Sequence, residues 1–364
     1  MLTRLTAVQQ RLLRPKSFGL LEWVVFLACL PFSLIYGTIL WLRNLCYDSG
    51  LLPTYQSSLP VISVGNISVG GTGKTPVVDA IVQAALARGY RPAIVSRGYA
   101  GTYSDRASWV RKNSEMLMTA VECGDEPFLL AQKNPQCPLV VARKRAEGIK
   151  LIERAQCADL IILDDAFQHR GVRRDIDLVL LDAQRPLGNG WPLPAGNLRE
   201  FAVGLKRADL LLMTRSEKQK KTEFQGIKTY HSRHRLAHEA IGLDGSRLTL
   251  KQLRQQRAAA FAGIARPEDF FSALEKLKVP LGATLAVADH SDYRPSIREQ
   301  IEQMANTAGA DILLTTEKDA VKLTGTMLTK PCYYLPLSIE IADAENFFTD
   351  VLPQAKEALH APQS

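Results

Sequence analysis

Ser68-Val-Gly-Gly-Thr-Gly-Lys-Thr75, with Pro76 behind it, is the stretch that decides how this chain folds. Ahead of it stands Val61-Ile-Ser-Val64, an apolar and β-branched run that reads as a buried strand. Behind it, Val77/Val78, Ile81/Val82 and Ala85/Leu86 recur at helical spacing. Strand, glycine-rich turn, Lys-Thr and helix form the layout of a phosphate-binding P-loop. Glycines let backbone N–H groups point inward at phosphate oxygens, and the helix N-terminus adds positive potential. The expected contacts run over Ser68, Val69, Gly70, Gly71, Thr72, Gly73, Lys74 and Thr75, with Lys74 reaching the β/γ-phosphates and the Thr75 hydroxyl binding Mg²⁺. The first glycine of the strict pattern is replaced by Ser68, so the loop is a variant.

Outward from the loop, 364 residues suit two domains better than one core. A net charge of +8 favours an anionic partner. Basic residues are interspersed with acids after residue 50 and no nucleic-acid motif stands out, so nucleic acid is not expected. The six cysteines form no C-x-x-C pair and fit reduced thiols rather than a zinc site.

Residues 1–18 carry Arg4, Arg11, Arg14 and Lys16 with no acid, and read as a basic amphipathic start. Residues 23–42 carry no charge and are long enough to span a bilayer. A signal peptide fits poorly, because the run is too long and a phosphate-binding loop follows. A true span would place the basic tail outside, against the positive-inside tendency. The preferred expectation is a helix or hairpin, broken near Pro31 or Gly37, dipping into the cytoplasmic leaflet; a buried core helix remains open.

From residue 61, apolar β runs at 61–64, 93–96, 139–141, 160–163, 178–181 and 210–213 alternate with helical stretches. That is the signature of an α/β, P-loop NTPase-like, doubly wound and mainly parallel sheet. Ligands of such sheets lie beyond the strand C-termini, where Arg97, Asp164, Asp165, Asp182 and Arg215 fall. The expected divisions are 1–50, basic start and apolar helix; 51–220, P-loop core; 221–257, a polar linker region; and 258–364, a smaller α/β domain closing the active-site cleft.

Several constellations suit phosphoryl transfer. Asp164-Asp165 ends an apolar strand, where a P-loop protein holds Mg²⁺. Asp125, in Gly-Asp-Glu-Pro, is a candidate base for an attacking hydroxyl, and His290 a candidate partner. Arg199 could stabilise the transferred phosphoryl group, and Glu200 could assist the metal. Glu317, Lys318 and Asp319 end a strand and are candidates for nucleotide contact. Each alone also has a plainer reading, as a helix cap, a surface ion pair or a structural histidine.

Taken in order over residues 65–322, these segments closely resemble the tetraacyldisaccharide 4′-kinase family, the lipid A 4′-kinases of Gram-negative bacteria. The matching strings are Gly65-Asn66 with Gly70 to Pro76, Ser96-Arg-Gly-Tyr99, Gly124-Asp-Glu-Pro127, Leu163-Asp-Asp165 with Phe167-Gln-His169, Leu198-Arg-Glu200, Phe261-Ala-Gly-Ile264, Asp289-His290 and Thr316-Glu-Lys-Asp-Ala-Val-Lys322. The resemblance implies transfer of the ATP γ-phosphate, with Mg²⁺, to the 4′-hydroxyl of a tetraacylated glucosamine disaccharide 1-phosphate. It implies a membrane-associated N-terminal helix on the cytoplasmic face of the inner membrane. It also implies Asp125 and His290 as an acid–base pair, and Asp164, Asp165 and Glu200 near metal and nucleotide. Asn66, Arg97, Tyr99, Gln168 and His169 are carried over as substrate candidates, and a monomer is expected. Ala166 stands where the family often has glycine, and Asn197 and Phe201 flank the Arg-Glu pair where proline is common. Two other readings compete: a membrane-associated P-loop GTPase/ATPase switch or metallochaperone, and a non-catalytic nucleotide-binding subunit. The second has no need of Asp125 or His290, and nucleotide preference and transfer to lipid would separate the first.

Overall fold

The fold comes from a computed structural model that describes residues 19–103, 106–217, 222–323 and 327–352. The basic start at 1–18 lies outside the described residues. The described residues form two compact units, each assembled from separated stretches: 19–97, 144–233 and 340–352 in the first, 98–143 and 234–339 in the second. The segments expected from sequence were contiguous, whereas each unit gathers stretches far apart in the chain.

The first unit is built on a parallel sheet. Its strands run in the order Pro92–Ser96, Leu160–Asp164, Val61–Asn66, Ile176–Asp182, Leu210–Thr214 and Ile227–Leu236. Their central residues are fully buried, as expected for apolar strands covered on both faces. The order reverses beside Val61–Asn66, and the crevice at such a reversal is where doubly wound sheets bind ligands. The expected P-loop follows that strand. Its helix, Lys74–Ala87, buries Val77, Val78, Ile81, Val82 and Ala85, the face read from the spacing.

The charge-free run is one uninterrupted helix, Leu20–Asp48, of 29 residues, about 44 Å long at 1.5 Å per residue. The expected break at Pro31 or Gly37 does not occur. Docking on both sides of Pro31 holds the two halves in line: Phe26 meets Trp191 edge-on at 6.3 Å, and Ser33 Oγ accepts the Ala195 amide at 2.8 Å. The helix is inverted relative to a soluble one. Glu22, Ser33, Gly37 and Asn44 are buried, while Trp23, Val24, Leu27, Phe32, Leu34, Ile35, Ile39, Trp41 and Leu42 are exposed.

In the second unit, Ala258–Ala262 lies between Leu281–Ala286 and Ile312–Thr316, all parallel, and Cys332–Leu335 extends the parallel row. Glu239–Gly242 and Arg247–Thr249 add an antiparallel edge. The expected linker at 221–257 is therefore folded, contributing these two strands and Ile227–Leu236 of the first unit's sheet. Helices Pro267–Lys276 and Pro295–Thr307 bury Phe270/Leu274 and Ile301/Ala305. Leu139–Val141 pairs antiparallel with Ser108–Lys112. The six cysteines, all among the described residues, form no disulfide.

Candidate active site

The P-loop is shaped by its own sequence and strapped by a distant one. Gly70 and Gly73 adopt φ of 105° and 80°, the left-handed region that glycine enters at no steric cost. Residues 69–71 are exposed at the loop tip. No side chain caps the following helix, so its first-turn amides remain for phosphate oxygens. Asn66 braces the loop from inside: its amide donates to Ser68 O at 2.7 Å and Thr72 Oγ1 at 3.1 Å. The Asn197–Arg199 segment runs alongside, with Val69 N–H on Asn197 O at 2.8 Å and Arg199 N–H on Ile67 O at 2.7 Å. Arg215 donates to Gly71 O at 3.0 Å and pairs with Asp182 at 3.2 Å.

Lys74, Asp165 and Arg199 converge. Lys74 Nζ lies 3.5 Å and Arg199 Nη1 2.8 Å from Asp165 Oδ1. Burial pushes the Asp165 carboxyl up, but Lys74 and Arg199 outweigh it and hold it down at about 2. Asp165 sits at φ 49°, a conformation Asp tolerates better than most residues. Asp164 is buried, with Oδ2 accepting the Ser96 hydroxyl at 2.8 Å and its carbonyl accepting buried Arg145 at 2.9 Å. Thr75 occupies the first turn of the loop helix. Among the described residues no group of three or more His, Cys, Asp or Glu could hold a metal ion. Mg²⁺ in a nucleotide site takes one or two carboxylates plus phosphates and water rather than a protein cage. The hard oxygens of Thr75, Asp164 and Asp165 suit it.

A second cluster lies within the second unit. Asp125 opens the helix Asp125–Lys133, and its Oδ2 meets both His290 Nδ1 and Lys322 Nζ at 3.2 Å. Burial pushes this carboxyl up, but the His290 hydrogen bond and the Lys322 charge hold it below the usual range. Lys318 Nζ stands 3.3 Å from His290 Nε2, 3.3 Å from Asp289 and 3.4 Å from Glu126. Burial works to lower the Lys318 ammonium, but Glu126 and Asp289 overcome it and raise it. An ammonium only donates, so Nε2 is the acceptor, and the ring proton sits on Nδ1 facing Asp125. Tyr99 meets the His290 ring edge-on at 5.7 Å.

Several expected roles change with these contacts. Glu317 and Asp319, expected at the nucleotide, have protein partners. Glu317 binds Lys133 and the Leu337 amide, and wholly buried Asp319 accepts Gly263 N–H and the Thr316 hydroxyl. Lys318, expected at the nucleotide, belongs to the His290 cluster. Asn66 is buried loop scaffold rather than a substrate contact. Gln168 bridges Asn66 O at 3.0 Å and Glu200 Oε1 at 3.2 Å. Glu200, expected at the metal, is taken up by Arg207 at 2.9 and 3.0 Å and Asn44 at 2.7 Å. Burial, with Arg145 and Arg97 nearby, lowers His169 to about 4 and keeps it neutral. Arg97 is exposed at its strand end. Arg145, Lys322 and Asn44 were missed. Only Lys322, inside the Thr316–Lys322 string, carried a sequence signal.

Residues 25–356 match the profile of the family described as tetraacyldisaccharide-1-P 4′-kinase. The chain is similar to the tetraacyldisaccharide 4′-kinase of Syntrophotalea carbinolica, 43% identical over 320 residues, covering 88% of this chain and 89% of that one. The enzyme of the same name from Geobacter metallireducens is 40% identical over 313 residues, covering 85% and 92%. Among solved structures, LpxK from Aquifex aeolicus in complex with ATP superposes with a TM-score of 0.75 at 31% identity, covering 88% of this chain and 96% of that one.

Proposed function

The chain belongs to the tetraacyldisaccharide 4′-kinase family, and from that premise we propose how its residues divide the work of phosphoryl transfer. It is an ATP-dependent kinase that moves the γ-phosphate to the 4′-hydroxyl of a tetraacylated glucosamine disaccharide 1-phosphate. The observation that carries the division is the Lys74–Asp165–Arg199 convergence beside an uncapped loop helix.

Loop amides at 70–75 and Lys74 hold the β/γ-phosphates, and Arg199 faces the charge of the phosphoryl group in flight. Thr75, Asp164 and Asp165 would hold Mg²⁺, which when bound neutralises the triphosphate tail. Asp125 takes the proton of the 4′-hydroxyl as its oxygen bonds to the γ-phosphorus and the bond to ADP breaks. His290 and Lys322 bind Asp125 Oδ2, leaving Oδ1 for that proton. Because Lys318 occupies Nε2, His290 orients the carboxylate rather than receiving the proton itself. Arg97 and Tyr99 are the exposed candidates for acceptor contact.

The enzyme acts as a monomer at the cytoplasmic leaflet of the inner membrane, bound through Leu20–Asp48. The exposed apolar face of that helix supports this reading, because lipid rather than water suits it. The test is incubation of the full chain in detergent with γ-labelled ATP, Mg²⁺ and the disaccharide 1-phosphate. Label in a bisphosphorylated lipid is expected. ATP consumption with label only in inorganic phosphate would favour the switch reading instead.

A further inference from the structure

We propose that the N-terminal helix, besides anchoring, positions the phosphate loop through Asn44; this rests on residues 68–75 being the nucleotide site. Asn44 is buried on a helix whose other faces are apolar and exposed, and an amide there is costly unless paired. Its partner is a carboxylate. Asn44 Nδ2 donates to Glu200 Oε2 at 2.7 Å, and its main-chain carbonyl accepts Arg170 Nη1 at 2.7 Å. Glu200 accepts the Gln168 amide at 3.2 Å, and the same amide donates to Asn66 O at 3.0 Å. Asn66 holds Ser68 and Thr72 and accepts Lys74 Nζ at 3.4 Å. Gln168 Oε1 also accepts Arg199, the partner of Asp165, at 3.5 Å. From the helix, Arg43 adds a bond to the Gln168 carbonyl at 3.3 Å.

An unbroken path of hydrogen bonds therefore leads from the helix to both sides of the phosphate site. Each link is a buried or half-buried polar group that must keep its partner, so displacing one end re-sorts the next. Arg207 alone satisfies both Glu200 oxygens without fixing where Gln168 points. Asn44 supplies that register. The other polar docking residue, Ser33, binds the Ala195 amide and has no place on the path, which makes it the control.

The test uses full-length protein in detergent, reading affinity for a fluorescent ATP analogue, ATP KM against kcat, thermal midpoint and vesicle sedimentation. Asn44→Ala and Asn44→Leu should weaken analogue binding and raise ATP KM by about five- to thirtyfold, with vesicle binding retained. Ser33→Ala should lower the thermal midpoint but leave nucleotide affinity within about twofold. Unchanged affinity in both Asn44 variants would overturn the proposal. So would equal losses in Ser33→Ala, which would reduce Asn44 to a docking contact. Analogue binding does not depend on the acceptor, so failure of the disaccharide kinase reading would appear separately, as absent lipid product with this pattern intact.

Discussion

At the scale of single residues, the proposed reaction rests on charges that hold one another. Lys74 and Arg199 share Asp165, so one carboxylate fixes both cations. Lys74→Met should lower kcat by at least about a hundredfold, the usual cost of removing one preorganised charge stabiliser. It should also let the Asp165 carboxyl rise from about 2, measurable by carbon-13 NMR titration. Lys318→Met should free His290 Nε2 and lose the single tautomer. Nitrogen-15 NMR would show mixed ring states, and kcat should fall by about tenfold with ATP KM unchanged. Unaltered ring shifts would remove Lys318 from its orienting role. Lys74, Asp164–Asp165, Arg199, Asp125 and His290 were legible because each stands in a short string whose chemistry is local. The Lys318–His290–Glu126 meeting was not, because those residues come from three separate stretches and no string carries a distance.

At the scale of elements, the N-terminal helix and the P-loop strand make opposite demands on glycine. Gly65 lies in the central strand, where an added Cβ would fall 2.6 Å from the Phe167 amide nitrogen. Gly65→Ala should destabilise the fold by about 1–3 kcal/mol, read by denaturant unfolding, since main chain cannot step aside as a side-chain tip can. Gly37 instead makes room for the Phe201 ring, whose nearest atom would stand 2.5 Å from a Cβ. On the outward face, Ile35→Glu should abolish vesicle binding while leaving the thermal midpoint in detergent within about 2 °C, because the side chain is largely exposed. A retained membrane fraction would discard the lipid-facing reading. The apolar run itself was plain in the sequence; its continuity through Pro31 was not. Proline removes one helical hydrogen bond, and whether the helix survives depends on docking that sequence does not show. Ser33, Gly37 and Asn44 looked like interruptions of an apolar stretch and are its docking edge.

At the scale of the whole molecule, strand identity was largely legible and strand order was not. Buried apolar strands look alike in sequence, so nothing marked Val61–Asn66 as the one beside which the order reverses. Nor did anything assign 98–143 to the second unit. The folded protein also carries a pH signature. His169 binds its proton at about 4 when folded and near 6.5 when unfolded. Between those values the unfolded state holds more protons, so stability rises with pH across that window. His169→Gln should flatten that rise in urea unfolding measured from pH 4 to 7; an unchanged slope would show that His169 is not its source. The central claim is that Asp125 acts on the acceptor while the loop holds ATP. The direct measurement compares Asp125→Asn with wild type for ATP affinity and label transfer to the disaccharide 1-phosphate. Equal ATP affinity with transfer slowed by at least about a hundredfold is the predicted result. Transfer at the wild-type rate, or loss of ATP binding in step with loss of transfer, would contradict it.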